Sequence, residues 1–370
     1  MQTRPARRLL HKILSGVLGQ SIDSTDLPTD NAEWQSLLRL SSAHLVTSLL
    51  RWALQQNSLL AGLPVEVLEF LEAFHALNLD DNRRYEDQLA HLIRTLNGIG
   101  IRPVLLKGAA ALIGVLYPTP GERFIGDIDI LIASHQLGEA LAALRAAGYI
   151  PGIGGEFSDV EEYLQGGAHH YPAIKNPDWP VLVELHVFPV HRFVDRLLGS
   201  EEITRDATLI TWRGGECLLP SPTHFVTHNV IHAYLVDHAL QSGISIRQLF
   251  EFVFASRIYA GQIDWLAIQQ RFDTCSEGTA LRCYLALAND YFGFQPPTEL
   301  PVGRRIRLRT ALYCALMDAP RAIYLLGLVR GFQTRAYRLV RDPRVLKRLL
   351  TKGFYLRFFQ ELRACKTTIV

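Results

Sequence analysis

The chain lacks any apolar run near the ~18 residues that a membrane span requires. Its longest candidates, such as Ala322 to Val329, read as core helix. Cysteine is scarce. Cys217, Cys275, Cys283, Cys314 and Cys365 form no C-x-x-C pair, and an odd, scattered set implies reduced thiols in a cytosol-like compartment. Lys107-Gly108 lacks the Gly-x-x-x-x-Gly-Lys-Ser/Thr frame of a P-loop. There is no G-x-S-x-G elbow, and no cysteine has an evident base nearby in sequence, so nucleophilic serine or thiol chemistry has little support. Internal repeats and low-complexity segments are also missing. The first 22 residues hold Arg4, Arg7, Arg8 and Lys12 and no acid, but His11-Lys12 interrupts the apolar run. They read as an amphipathic helix rather than a secretory signal.

Acid is also scarce at the other end. Residues 301–370 carry 16 Lys+Arg against 3 Asp+Glu, a balance of +13, while the rest of the chain stands at −11. A basic region this strong is expected to touch the acidic body, a nucleic acid or an anionic membrane surface. The segment Arg335 to Arg363 alternates bases with Tyr, Leu and Phe, as an interfacial helix does.

With 370 residues, 48% of them hydrophobic and 20% charged, the chain is an ordinary globular one with room for two or three domains. Apolar spacing of three and four predicts helices over 5–19, 31–58 and from Pro64 to about Leu96, where Asn97-Gly98 and Gly100 stop the last. The second part of that helix carries a polar face of Asp80, Asp81, Arg83, Arg84 and Glu86. An α/β section follows. Strands are expected at 101–106, 127–133, 169–174 and 181–187, the last two as a hairpin, with helices at 108–116 and, capped by Ser134, at 136–147. Arg213-Gly214-Gly215 separates another hairpin. Ser221-Pro222 then opens a helix to about Gln241, with further helices at 245–259, 263–272, 277–292 and in 303–363. The expected fold class is α+β, a small mixed sheet flanked by helices on both sides in sequence. The division is 1–100 N-terminal helical, 101–220 α/β core, 221–300 helical wall and 301–370 basic helical region.

Within the core, Gly126-Asp-Ile-Asp-Ile-Leu-Ile-Ala133 places two acids in an otherwise apolar run. Residues two apart on a strand share a face, so Asp127 and Asp129 project together. Buried charges need a partner or a metal. Hard oxygen donors suit Mg²⁺ or Mn²⁺, and a paired-metal site suits in-line phosphoryl or nucleotidyl transfer. Glu184, inside Val181-Leu-Val-Glu-Leu-His-Val187, is the candidate third carboxylate, and His186 shares its face. Lys107-Gly108 lies between a strand and a helix, where backbone N–H groups and the lysine attract triphosphate. Arg123 either pairs with Asp127 or contacts phosphate in a bidentate way. His224, His228 and His232 recur at intervals of four. Without a nearby Glu or a third ligand this is weak zinc evidence, and a helix offering His228 or His232 to substrate is the better reading. Arg247 and Glu251, one turn apart, either pair or line the same cleft.

The order L-L-K-G-A-A-A-L, L-Y-P, R-F-I-G-D-I-D-I-L-I, a Gly-Tyr and then V-E-L-H resembles the bacterial "uncharacterised nucleotidyltransferase" group of the DNA polymerase β-like superfamily. The resemblance is specific over about 102–190 and looser over 220–270. It implies an enzyme that moves an NMP from an NTP to an acceptor hydroxyl and releases pyrophosphate, using two Mg²⁺ (or Mn²⁺) ions. It makes Asp127, Asp129 and Glu184 the metal and catalytic residues. It assigns nucleotide binding to Lys107, Gly108 and Arg123, with His186, His228, His232 and Arg247 as possible substrate contacts. Where the superfamily usually has Gly-Ser or Gly-Gly at the phosphate turn, this chain has Lys107-Gly108-Ala109. The acceptor is open: small molecule, peptide or RNA. The expected location is cytoplasmic. The rival expectation is a non-catalytic nucleotide- or nucleic-acid-binding, regulatory protein of the same fold that uses its basic C-terminal region.

Overall fold

In the computed structural model the described residues are 4–114, 116–152, 157, 159–165, 168–237 and 244–317. The basic segment beyond 317, and His238, lie outside them. The fold is mixed α+β. Four helices come first, α1 (Arg4–Ser15), α2 (Asn31–Ala43), α3 (Thr47–Gln56) and α4 (Val65–Asn97). The sheet follows with its inserted helices: β1 (Val104–Leu105), α5 (Lys107–Ile113), β2 (Asp127–Leu131), α6 (Leu137–Ala146), β3 (Ile150–Pro151), α7 (Val160–Gln165), β4 (Ile174–Lys175), β5 (Leu182–His186), α8 (Ser200–Arg205), β6 (Thr208–Trp212) and β7 (Gly215–Leu219). After α9 (Pro222–Val230) the chain is helical over 246–258, 265–274, 278–292 and 304–317. None of the described helices is long and apolar enough to cross a membrane.

The seven strands run β3-β4-β5-β2-β1-β7-β6. The acidic strand β2 is therefore interior, not marginal. It pairs parallel with β5 and antiparallel with β1. Its register sets Asp129 beside Glu184 and Leu131 beside His186. The 169–174 stretch is strand only at its end, because β4 begins at Ile174 and His170 makes just an isolated bridge to His186. The predicted strand at 101–106 likewise shrinks to Val104–Leu105. Ser134 opens a short 3₁₀ turn ahead of α6 rather than capping it. The hairpin β6–β7 forms as expected. Arg213 and Gly214 both take positive φ (46° and 79°), the turn geometry that matches the twist of the flanking strands.

Helix α4 is the spine under the sheet. Leu71, Leu89, Leu92, Ile93 and Leu96 are buried at helical spacing, and Gly100 ends the run at φ +77°, a conformation that costs glycine least. Gln88 bonds both backbone groups of Val181, just before β5. Asn97 bonds the backbone of Ile101 and Glu216, ahead of β1 and within β7. One helix thus fixes three strands relative to one another. Helix α1 packs on the helix Gly278–Phe292, where the His11 and Tyr291 rings lie tilted with centroids 4.1 Å apart.

Ser221 caps α9 through the His224 N–H. The helix predicted to reach Gln241 instead gives way to a π-helical segment, Ile231–Asp237. The His228 and His232 rings stay neighbours across the change of pitch, with centroids 5.9 Å apart.

Candidate active site

The site is built on β2 and β5. Asp129 is almost fully buried at 1% exposure. Lys107 donates to its Oδ1 at 2.6 Å and His186 Nε2 lies 2.9 Å from the same oxygen. Oδ2 is buried and has no hydrogen-bond partner. Burial alone would raise this carboxyl, but the Lys107 ammonium and the His186 hydrogen bond outweigh it and hold it well below the usual carboxylate range. Glu184 is half-buried and its Oε2 lies 3.5 Å from His186 Nε2. Burial opposes its ionisation, yet the hydrogen bond from His186 and the charge of His170 lower its pKa.

Asp127 stands on the same face one step earlier, opposite Leu182. Burial and then the adjacent Asp129 charge raise its pKa. Two acids that cannot comfortably ionise together are what a cation between them relieves.

Lys107 opens α5 with φ 43°, a left-handed conformation that costs a non-glycine residue energy. The strain places its ammonium on Asp129, 22 residues later in sequence. Burial would lower the Lys107 pKa, and the Asp129 carboxylate reverses that and raises it. Gly108 is buried behind it. A Cβ there would stand 2.6 Å from Arg123 Nη1, so any larger residue has to push the ion-paired guanidinium aside.

Arg123 pairs with neither Asp127 nor open solvent. Its Nε and Nη2 donate to Glu251 at 2.5 and 3.3 Å, with Tyr117 adding a bond to the same carboxylate at 3.2 Å. Arg247 and Glu251 consequently do not form the helical pair that their spacing suggested. Arg247 donates instead to the Phe124 carbonyl at 2.9 Å. From below, Asn78 and Asn82 of α4 donate to the carbonyls of Pro120, Gly121 and Arg123, and Tyr85 is buried with an unpartnered hydroxyl. These supports escaped the sequence reading. Their signal was present as polar residues at 78, 82 and 85, a helical stripe between apolar ones.

The histidines divide. His186 joins the carboxylates. His228 is buried and Nε2 bonds the Pro189 carbonyl at 2.8 Å, whereas His232 Nδ1 lies 3.0 Å from Asp237. His224 faces Glu202 and Asp206 instead. A separate groove of about 810 Å³ opens past the ends of β2 and β5, lined by Ile132, Ser134, Val187, Ser200 and Glu201 among others. None of the predicted site residues lines it.

His228 gives a prediction of its own. Burial, and then the His232 charge, lower its pKa to about 3, against about 6.5 in the unfolded chain. Between those values the unfolded state holds the extra proton. Stability contributed by neutral His228 is therefore complete above about pH 6.5 and falls as pH drops, by about 2 kcal/mol at pH 5. His228→Gln, which still offers an N–H to Pro189, is expected to flatten this part of the profile. Urea midpoints of both proteins from pH 7.5 to 5 measure it.

The donors fit a divalent cation. Ligand atoms of Asp129, Glu184 and His186 lie within 4.8 Å of one another, and the buried, unpartnered Oδ2 of Asp129 calls for a positive neighbour. Paired carboxylates on adjacent strands, a lysine on the glycine turn before a helix, and a mixed sheet together make a candidate nucleotide- and metal-binding site. The chain belongs to the "Uncharacterised nucleotidyltransferase" family, whose model matches residues 30–293. That membership makes it a transferase with a nucleotide substrate and implies use of a divalent metal. The chain is also similar to the crystal structure of an antigenic nucleotidyltransferase-like protein from Paracoccidioides brasiliensis. The two are 16% identical with a TM-score of 0.35, over 57% of this chain and 94% of that one. No curated protein matches it.

Proposed function

We propose that the chain transfers an NMP from an NTP to an acceptor hydroxyl with release of pyrophosphate, in a Mg²⁺- or Mn²⁺-dependent reaction. The observation that carries this is the in-register pairing of Asp129 with Glu184 across parallel strands, with Asp127 on the same face and a buried carboxylate oxygen unpartnered. Asp127, Asp129 and Glu184 would hold two ions. When bound, such ions stabilise charge on the attacking and leaving oxygens.

The protein's own groups do the rest. Lys107, with one N–H on Asp129, has further donors for the triphosphate. Gly108 lets that turn come close, and Arg123 supports it from behind through its hold on Glu251. The acceptor oxygen bonds to the α-phosphorus, the bond from that phosphorus to the bridging oxygen breaks, and Glu184 receives the hydroxyl proton. The helices after residue 221 offer His232 and Arg247 toward the acceptor, with His228 packed behind.

The test uses NTPs labelled at the α- or the γ-phosphate, incubated with the full chain, Mg²⁺ or Mn²⁺ and cell extract. Label from the α position is expected in a new acceptor species and label from the γ position only in pyrophosphate. Transfer of the γ label would make the protein a kinase instead.

A further inference from the structure

The carboxylates are only part of the donor set. His186 lies on the face of Glu184, is wholly buried, and sends Nε2 to within 2.9 Å of Asp129 and 3.5 Å of Glu184. Two ligands at right angles on a metal with bonds of about 2.1 Å stand ~3.0 Å apart. The spacing that reads as a hydrogen bond is therefore also the edge of a coordination octahedron. The other ring nitrogen, Nδ1, is buried without a hydrogen-bond partner, so Nε2 is the nitrogen that faces the carboxylates. The rings of His169 and His170 lie 5.4 and 5.2 Å away and close the pocket on that side.

We propose that His186 is itself a ligand, making this a mixed nitrogen–oxygen site that selects a first-row transition ion such as Mn²⁺ over Mg²⁺. The proposal rests on the metal-dependent reading above and sharpens it. Carboxylate and water suit Mg²⁺ and Mn²⁺ alike, whereas imidazole suits the transition ions. One nitrogen donor in the set therefore tilts the choice.

Mn²⁺ titrated into the full-length protein supplies the test, followed by electron paramagnetic resonance and electron spin-echo modulation. One ¹⁴N coupling is expected, converted to a ¹⁵N coupling in protein grown with ¹⁵N-histidine, which needs no substitution. Mg²⁺ should displace the ion only at an excess of about tenfold or more. His186→Gln should lose the coupling and most of that preference, while His170→Gln keeps both. Mn²⁺ that binds, is lost in Asp129→Asn and shows no nitrogen coupling would overturn the ligand role but leave the carboxylate site standing. A coupling that survives in His186→Gln would also overturn it. Failure of the wild type to bind Mn²⁺ would remove this proposal and the metal-dependent reading together.

Discussion

Asp129→Asn is expected to lower NTP turnover by roughly 10³-fold or more, equivalent to about 4 kcal/mol of transition-state stabilisation. The substitution keeps the shape and removes the charge. Its oxygen can still accept from Lys107 and His186, so the cost to the fold is about 1–3 kcal/mol, far less than the cost to activity. Asp127→Asn gives the sharper contrast. The Asp127 pKa is raised by burial and by Asp129, so its ionised form opposes folding at neutral pH. The sign is opposite to that for Asp129, and neutralising Asp127 should leave the melting temperature unchanged or higher while activity collapses. A structural acid would lose both together. Turnover of α-labelled NTP and thermal melts of the two variants separate these roles, and full activity in Asp127→Asn would sink the assignment of that residue.

What could be read from sequence in this site was what strand periodicity controls. Alternation placed Asp127 with Asp129 and Glu184 with His186 on shared faces, and the parallel register of β2 and β5 then brought the two pairs side by side. Hidden were the contacts that depend on which elements meet. Lys107 reaches Asp129 through a left-handed backbone that no propensity for lysine suggests. Arg247 and Glu251 satisfied a local rule worth a few tenths of a kcal/mol, but a bidentate, buried partner 128 residues away took the glutamate. The short strands β1 and β4 were over-extended because an apolar run says that a segment is buried, not that it has a neighbour to pair with. Helix α4 was legible as a helix, and of its polar face Asp80, Asp81, Arg83 and Arg84 are exposed while Glu86 is partly buried against Arg213. Its buried Asn78, Asn82 and Tyr85 gained meaning only once the 118–123 loop lay on them.

The same tertiary competition yields the largest expected effect on stability. Arg123 and Glu251 are 5% and 4% exposed, and Arg247 crowds a second guanidinium toward the same carboxylate. Burial and then the Arg123 charge lower the Arg247 pKa. Glu251→Gln preserves volume and one acceptor but leaves Arg123 charged and out of water. Breaking a buried pair from one side costs about 3–5 kcal/mol, enough to lower the melting temperature on the order of 10 °C. Removing both charges with Arg123→Met and Glu251→Leu together should recover most of that loss, since the pair's attraction was offset by its desolvation. Activity should not recover with stability. Arg123 Nη1 occupies the space beside Gly108, and a methionine there supports the turn by packing alone. The double variant is therefore expected to melt near the wild type and turn over NTP at least tenfold more slowly. Calorimetry and α-label transfer on the single and double variants decide it. Wild-type turnover in the double variant would show that the ion pair holds the fold and has no part in positioning Lys107-Gly108.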